Sequence, residues 1–288
     1  MCRYRKMLLA FDGSESSRNA LKQAIVLARS EQSWIRVVSV LPSYEGDLHL
    51  QGVSGIEEVL RNPADKLVKA AEEITSCEPV NVIINAEHGE PYEKIIDVAE
   101  EENCDLIVMG RRGLGRVERM LMGSVIYRVI SHSNIDVLVF PEDAPLGWKN
   151  ILIATDGSAY SDIALSKALN FARLYEGGCA AVSVANIYPE SYAVAPKIVE
   201  QLERKAIDIL RGTAEKARAA GIELETYHLR GEPHEEIVNL AREVNADIIF
   251  MGSHGRAGIK KFLMGSVTEK VIGLSYCPVL VAKSKQTY

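Results

Sequence analysis

Short apolar runs alternate with longer segments of helical period along the whole chain. Met7–Phe11 reads as a buried strand, and Ser16–Arg29 follows with Ala20, Leu21, Ala24, Ile25 and Ala28 on one helical face. Ile35–Val40 is a second strand. A polar, glycine-containing loop leads from Pro42 to an amphipathic helix before Cys77, and Val80–Ile84 makes a third strand. Gly89-Glu90-Pro91 marks the next junction, since proline at a first helical position costs little where the N–H lacks an intrahelical partner. A helix over Tyr92–Glu102, a strand over Leu106–Met109, a helix over Ser124–Ser131 and a strand over Val137–Phe140 complete the unit. Strands alternating with helices predict a parallel sheet with helices on both faces. Five such strands wind outward in both directions from the first, and ligands bind beyond the carboxyl ends of the strands, between the first and fourth.

The pattern then repeats, from Ile151 to Ala282. KMLLAFDGSESSRNAL from Lys6 is echoed by NILIATDGSAYSDIAL from Asn150, a separation of 144. HGEPYEKIIDVAEEENCDLIVMG from His88 is echoed by RGEPHEEIVNLAREVNADIIFMG from Arg230, a separation of 142. RVERMLMGSVIYRVI from Arg116 is matched in the same order from Arg256. A period this long makes each copy a whole domain rather than a solenoid repeat. The join falls in Pro141–Lys149, where two prolines and a glycine interrupt the apolar run, so the expected domains are 1–143 and 144–288.

Composition adds limits. A hydrophobic share of 47% and a charged share of 25% are ordinary for a globular protein with a filled core. A net charge of -6 argues against nucleic acid as the main partner. The five cysteines are scattered and never spaced as CxxC, which fits a reducing compartment better than a disulfide framework or a zinc site. No segment approaches the ~20 apolar residues that span a bilayer, and Met7–Phe11 is too short for a signal-peptide core. The expectation is a cytoplasmic protein without a membrane partner.

The chemistry sits where the winding predicts it. After the first strand of each copy comes Asp-Gly-Ser, at Asp12 and Asp156. After the fourth comes one shared spacing, G-x-x-G-x9-G-S: Gly110, Gly113, Gly123 and Ser124 in the first copy, and Gly252, Gly255, Gly265 and Ser266 in the second. Gly110 and Gly113 are expected to take positive φ and to admit a ligand close to the backbone. Gly123-Ser124 and Gly265-Ser266 open helices whose first N–H groups and dipole favour an anion, with the serine hydroxyl as a further donor. Turns and ordinary helix caps are the structural alternative, and the recurrence of the whole spacing at the predicted edge favours phosphate.

This constellation closely resembles the universal stress protein family, once per half and over nearly the whole chain, with the glycine signature of its ATP-binding members. The resemblance implies a 3-2-1-4-5 parallel sheet in each half, of the adenine-nucleotide alpha-hydrolase-like kind. It implies ATP, or AMP or ADP, as ligand, with adenine read by main-chain groups at Val40 and Val184 and with ribose and phosphates against Asp12 or Asp156 and the glycine loop. Met109 and Val125, or Met251, Val267 and Thr268, would complete each pocket. It further implies pairing of the final strands between domains, an intramolecular pair, with association of two chains left open.

The copies differ. Ile126 stands where the second copy has Thr268, and Asn134-Ile135-Asp136 where it has Tyr276-Cys277-Pro278, so the expectation is two sites with the second binding tighter. Asp12 and Asp156 could contact ribose, hold Mg²⁺ through a phosphate, or cap the following helix. His254 has Arg112 as its counterpart, which excludes a shared histidine mechanism. Arg111, Arg112, Arg116 and Arg119, with Arg256, Lys260 and Lys261, either neutralise phosphate or form a solvated face. Cys104 and Cys277 read as small core residues. Enzyme readings find little support: the dipeptide Gly-Lys of a P-loop is absent, as is the Rossmann fingerprint. The expected function is a stress-linked adenine-nucleotide sensor. The alternative is a slow Mg²⁺-dependent ATPase or an ATP-using transferase. The segments Pro42–Asn62 and Ile187–Pro196 are candidate lids.

Overall fold

The computed structural model describes residues 4–41, 56–113, 122–187, 195–255 and 264–283, and of residues 56–62 the backbone alone. Two compact units divide the chain, the first ending at Asp143 and the second taking it up at Ala144. The first contains β1 (Lys6–Ala10), α1 (Glu15–Glu31), β2 (Trp34–Leu41), α2 (Ile56–Thr75), β3 (Asn81–His88), α3 (Pro91–Glu101), β4 (Leu106–Gly110), α4 (Ser124–His132) and β5 (Asp136–Phe140). The second contains β6 (Asn150–Ala154), α5 (Ala159–Tyr175), β7 (Gly178–Ala185), α6 (Pro196–Ala219), β8 (Leu224–Arg230), α7 (Pro233–Glu243), β9 (Ile248–Gly252), α8 (Ser266–Leu274) and β10 (Val279–Ala282).

Within each unit all pairings are parallel, and the strands follow the order 3-2-1-4-5. The central strands are covered on both faces, which is why Leu106–Met109 and Ile248–Met251 are buried without alternation. β3 runs on to His88, four residues past its apolar run. Its ladder to β2 carries it from Asn85 opposite Val38 to His88 opposite Leu41, and polar side chains at a half-exposed edge leave no apolar signal. In the second unit the core is closed at its base by Trp148, whose ring stacks on Phe171 at 4.4 Å and on Tyr175 at 5.2 Å.

Local devices repeat between the units. Pro91 and Pro233 open α3 and α7. Ser14 and Ser158 cap α1 and α5 by accepting the N–H of Ser17 and Ser161. Left-handed backbone appears at Gly13 (φ 79°) and Gly157 (φ 72°), in the turn between strand and cap. It does not appear at Gly110 or Gly113, where the sequence pattern had suggested it. Those two glycines serve close approach instead. A β-carbon on Gly110 would lie 2.4 Å from the Ser16 carbonyl carbon and the Ser17 nitrogen, inside the first turn of α1. The counterpart Gly252 meets Tyr160 Cβ at 2.7 Å and its carbonyl carbon at 2.8 Å.

Candidate functional site

β1 and β4 are neighbours whose connections leave in opposite directions, so the turn after β1 and the loop after β4 emerge side by side at the carboxyl edge of the sheet. The turn is fixed by Asp12, whose Oδ1 accepts from Ser14 N at 3.0 Å and from Ser14 Oγ at 2.6 Å. Asp12 is therefore not the helix cap; Ser14 is. Its second oxygen faces the loop, because a β-carbon on Gly113 would stand 2.6 Å from Asp12 Oδ2. Asp156 repeats this, with Oδ1 accepting from Ser158 N at 3.0 Å and Oδ2 lying 3.0 Å from the β-carbon position of Gly255.

The start of the following helix returns to the same place. Gly123 N donates to Arg111 O at 3.4 Å, and Gly265 N donates to Ser253 O at 2.9 Å. Gly123 and Gly265 occupy the N-cap positions with no side-chain cap, so α4 and α8 present first-turn N–H groups toward the loop mouth. Ser124 and Ser266 are exposed beside them, Val125 and Val267 are half-buried one residue on, and Met109 and Met251 lie buried beneath.

Val40 and Val184 hold the other side of the switch point. Phe11 N donates to Val38 O at 2.9 Å, so the main chain of Val38 faces β1, and that of Val40, two residues on, faces the same way. The β1 ladder reaches only Ala10 opposite Val38. The main-chain groups of Val40 therefore point past the end of β1, into the space above it. Thr155 N donates to Val182 O at 2.9 Å and places Val184 identically.

The two loops differ in how they are held. In the first unit, Ser16 Oγ donates to the Arg112 carbonyl at 2.5 Å and Arg112 N donates back to Ser16 Oγ at 3.2 Å. Ser14 Oγ, whose one proton goes to Asp12 Oδ1 at the shorter distance of 2.6 Å, lies 2.9 Å from the same carbonyl. In the second, Tyr160 replaces Ser16, and its ring stands 5.0 Å from that of His254. His254 Nδ1 shares a hydrogen bond of 2.9 Å with Ser253 Oγ. The difference expected between Ile126 and Thr268 takes another form. Both are buried, and Thr268 Oγ1 donates to Gly252 O at 2.9 Å, so its one proton is committed to the fold instead of a phosphate.

Ser14, Ser16 and Tyr160 were not among the residues singled out from the sequence, although the hydroxyl-rich Ser14-Glu15-Ser16-Ser17 stretch carried the signal. Arg112 reaches Glu142 at 3.5 Å, and burial together with neighbouring Arg112 lowers the pKa of Arg111. Arg116, Arg119, Arg256, Lys260 and Lys261 lie outside the described residues, as do most of Pro42–Asn62 and the central part of Ile187–Pro196. Burial pushes the thiols of Cys104 and Cys277 up to about 11, so they are neutral core groups at pH 7. An open cleft of about 510 Å³ touches the second turn at Gly157 and runs along α6 past Lys205 and Gly212; the Asp162–Lys216 pair at 2.6 Å bridges its walls. Among the described residues no group of three or more His, Cys, Asp or Glu is placed to hold a metal, and no helix is long and apolar enough to cross a membrane.

Comparison with known proteins agrees with this geometry. The sequence profile of the universal stress protein family matches residues 3–141 and again 147–283. A universal stress protein of Methanocaldococcus jannaschii is 36% identical over 140 residues, 47% of this chain and 82% of that protein. One from Bacillus subtilis is 34% identical over 149 residues, 47% of this chain and 99% of its own length. The crystal structure of a universal stress protein from Archaeoglobus fulgidus superposes with a TM-score of 0.74 at 26% identity, covering 98% of this chain and 99% of that one. With the family profile matched once in each half, the chain belongs to the universal stress protein family.

Proposed function

We propose that each domain binds one adenine nucleotide and that occupancy, not turnover, is the signal the protein delivers in a stress response. The observation behind this is the convergence, twice in one chain, of an aspartate, a glycine loop and an uncapped helix start at the carboxyl edge of a parallel sheet. Main-chain groups of Val40 or Val184 suit the donor and acceptor edge of adenine. The N–H groups of the loop and of the helix start suit phosphates. Asp12 and Asp156, being anionic, suit ribose hydroxyls. The space between Asp12 Oδ2 and Gly113, or between Asp156 Oδ2 and Gly255, is one that a β-carbon would fill, and it leaves the backbone open to a ligand. One carboxylate at each site is too few for a protein-held cation, so Mg²⁺ would be carried by the phosphates with that carboxylate as its protein neighbour. Among the described residues the two sites share no histidine that could act as base on an attacking water, which fits binding better than rapid hydrolysis.

Calorimetric titration of the nucleotide-stripped chain with ATP and Mg²⁺ tests the proposal. Two sites per chain are expected. One site would assign an active and a silent half, and no binding would overturn the reading.

A further inference from the structure

The two glycine loops share a spacing and a packing position, yet the residue that meets the first glycine differs: Ser16 against Gly110 and Tyr160 against Gly252. Ser16 is buried and sits in the first turn of α1. Its hydroxyl bonds both main-chain groups of one residue, donating to Arg112 O at 2.5 Å and accepting from Arg112 N at 3.2 Å, which belong to the two successive peptide groups on either side of Arg112. Ser14 Oγ lies 2.9 Å from the same carbonyl but gives its one proton to Asp12 Oδ1 at 2.6 Å, so Ser16 carries the hold. A hydroxyl that holds the peptide groups on both sides of Arg112 fixes their orientation, and with it the direction of Gly113 N–H, which shares a peptide plane with Arg112 C=O. Tyrosine carries no hydroxyl at the γ position and cannot make these bonds. Tyr160 is 36% exposed; its backbone lies against Gly252 and its ring stands 5.0 Å from that of His254.

We infer that Ser16 is the positioning residue of the Gly110–Gly113 turn of the first phosphate loop, holding Arg112 and Gly113 in place before ligand arrives, and that Tyr160 does not supply this hold in the second copy. This rests on the phosphate reading above. It reverses the ranking expected from Thr268 and Ile126, because Thr268 spends its proton on Gly252 while Ser16 removes an ordering cost from binding. The first site is then the tighter one.

The test uses the full chain with the second site blocked by Gly255→Val, which fills the space beside Asp156 Oδ2. ATP with Mg²⁺ is titrated by calorimetry into this parent and into the parent carrying Ser16→Ala. A loss of about tenfold in affinity is expected, equivalent to 1.4 kcal/mol. Hydrogen exchange in the ligand-free chain gives a separate readout. The amide of Arg112 should exchange about tenfold faster in Ser16→Ala while the amides of β1 and β4 stay protected, which a general loss of structure would not produce. Tyr160→Ser, made in the otherwise unaltered chain at an exposed position, should slow exchange at His254. A parent that binds no ATP would overturn the phosphate reading of the first loop. A parent that binds, with affinity and Arg112 exchange unchanged by Ser16→Ala, would overturn this inference alone.

Discussion

The two halves of the chain build the same edge from the same parts, and differ in what secures the loop. Both use an aspartate that ties its own turn, a serine cap, and a glycine pressed against the first helical turn. The first half then holds Arg112 by a serine hydroxyl from α1, whereas the second sets the Tyr160 ring beside His254 at the same place and bonds its loop from the α8 side, through Gly265 N and Thr268 Oγ1. Main-chain hydrogen bonds fix direction, whereas ring contacts tolerate rotation. The two copies thus share the elements that define the fold and differ in the side chains that hold each loop. Two copies of a motif need not be two copies of a property.

The comparison can be pressed hardest at the glycines. Gly110→Ala drives a β-carbon into the backbone of α1 at 2.4 Å, whereas Gly252→Ala meets Tyr160 at 2.7 Å and its carbonyl carbon at 2.8 Å. Both changes destabilise their domain, the first more. About 3 kcal/mol is expected for Gly110→Ala, or on the order of 10 °C in melting temperature, read by scanning calorimetry. Equal shifts for the two variants would show that the closeness to α1 does not set the cost.

A smaller effect is expected at Thr268. Thr268→Val keeps the shape and removes the bond to Gly252 O, leaving a buried carbonyl without that donor, at a cost of about 1–2 kcal/mol. Melting temperature should fall while ATP affinity at the second site stays within about twofold, a 0.4 kcal/mol change. A loss of affinity exceeding the loss of stability would restore the hydroxyl to the phosphate.

The smallest effect separates nothing at neutral pH and appears only in alkali. Burial raises the thiols of Cys104 and Cys277 from 9.0 to about 11, and that of Cys179 to about 12. Each folded-state value lies above that of the unfolded chain, so their contribution is fully present below pH ~8.5 and is lost as pH rises toward 11 to 12. Urea midpoints should therefore hold steady from pH 7 to about 8.5 and then fall. One thiol lies in the first unit and two in the second, so the second should weaken more. Replacing Cys179 by alanine should blunt its decline.

Apolar periodicity and the internal repeat carried the element order, the parallel class and the edge of the sheet at which the glycine loops emerge. Those follow from local rules: a strand covered on both faces must be apolar throughout, and a chain that winds both ways from its first strand leaves a gap at the turning point. The glycine spacing likewise named the loops and the helix starts. What sequence could not decide was why each glycine is needed and what each hydroxyl does. Gly110 and Gly113 looked like residues chosen for backbone freedom, and they are residues chosen for the absence of a side chain, since their neighbours Ser16 and Asp12 lie 94 and 101 positions away (110 − 16 and 113 − 12). Thr268 looked like a ligand contact until its partner proved to be a carbonyl 16 residues back. Ser16, one hydroxyl in a hydroxyl-rich stretch, bonds the main chain of Arg112, 96 residues downstream. Periodicity is a short-range property that the chain writes into neighbouring positions. The lock on a loop depends on which distant groups the sheet brings within 3 Å, a distance that folding alone decides.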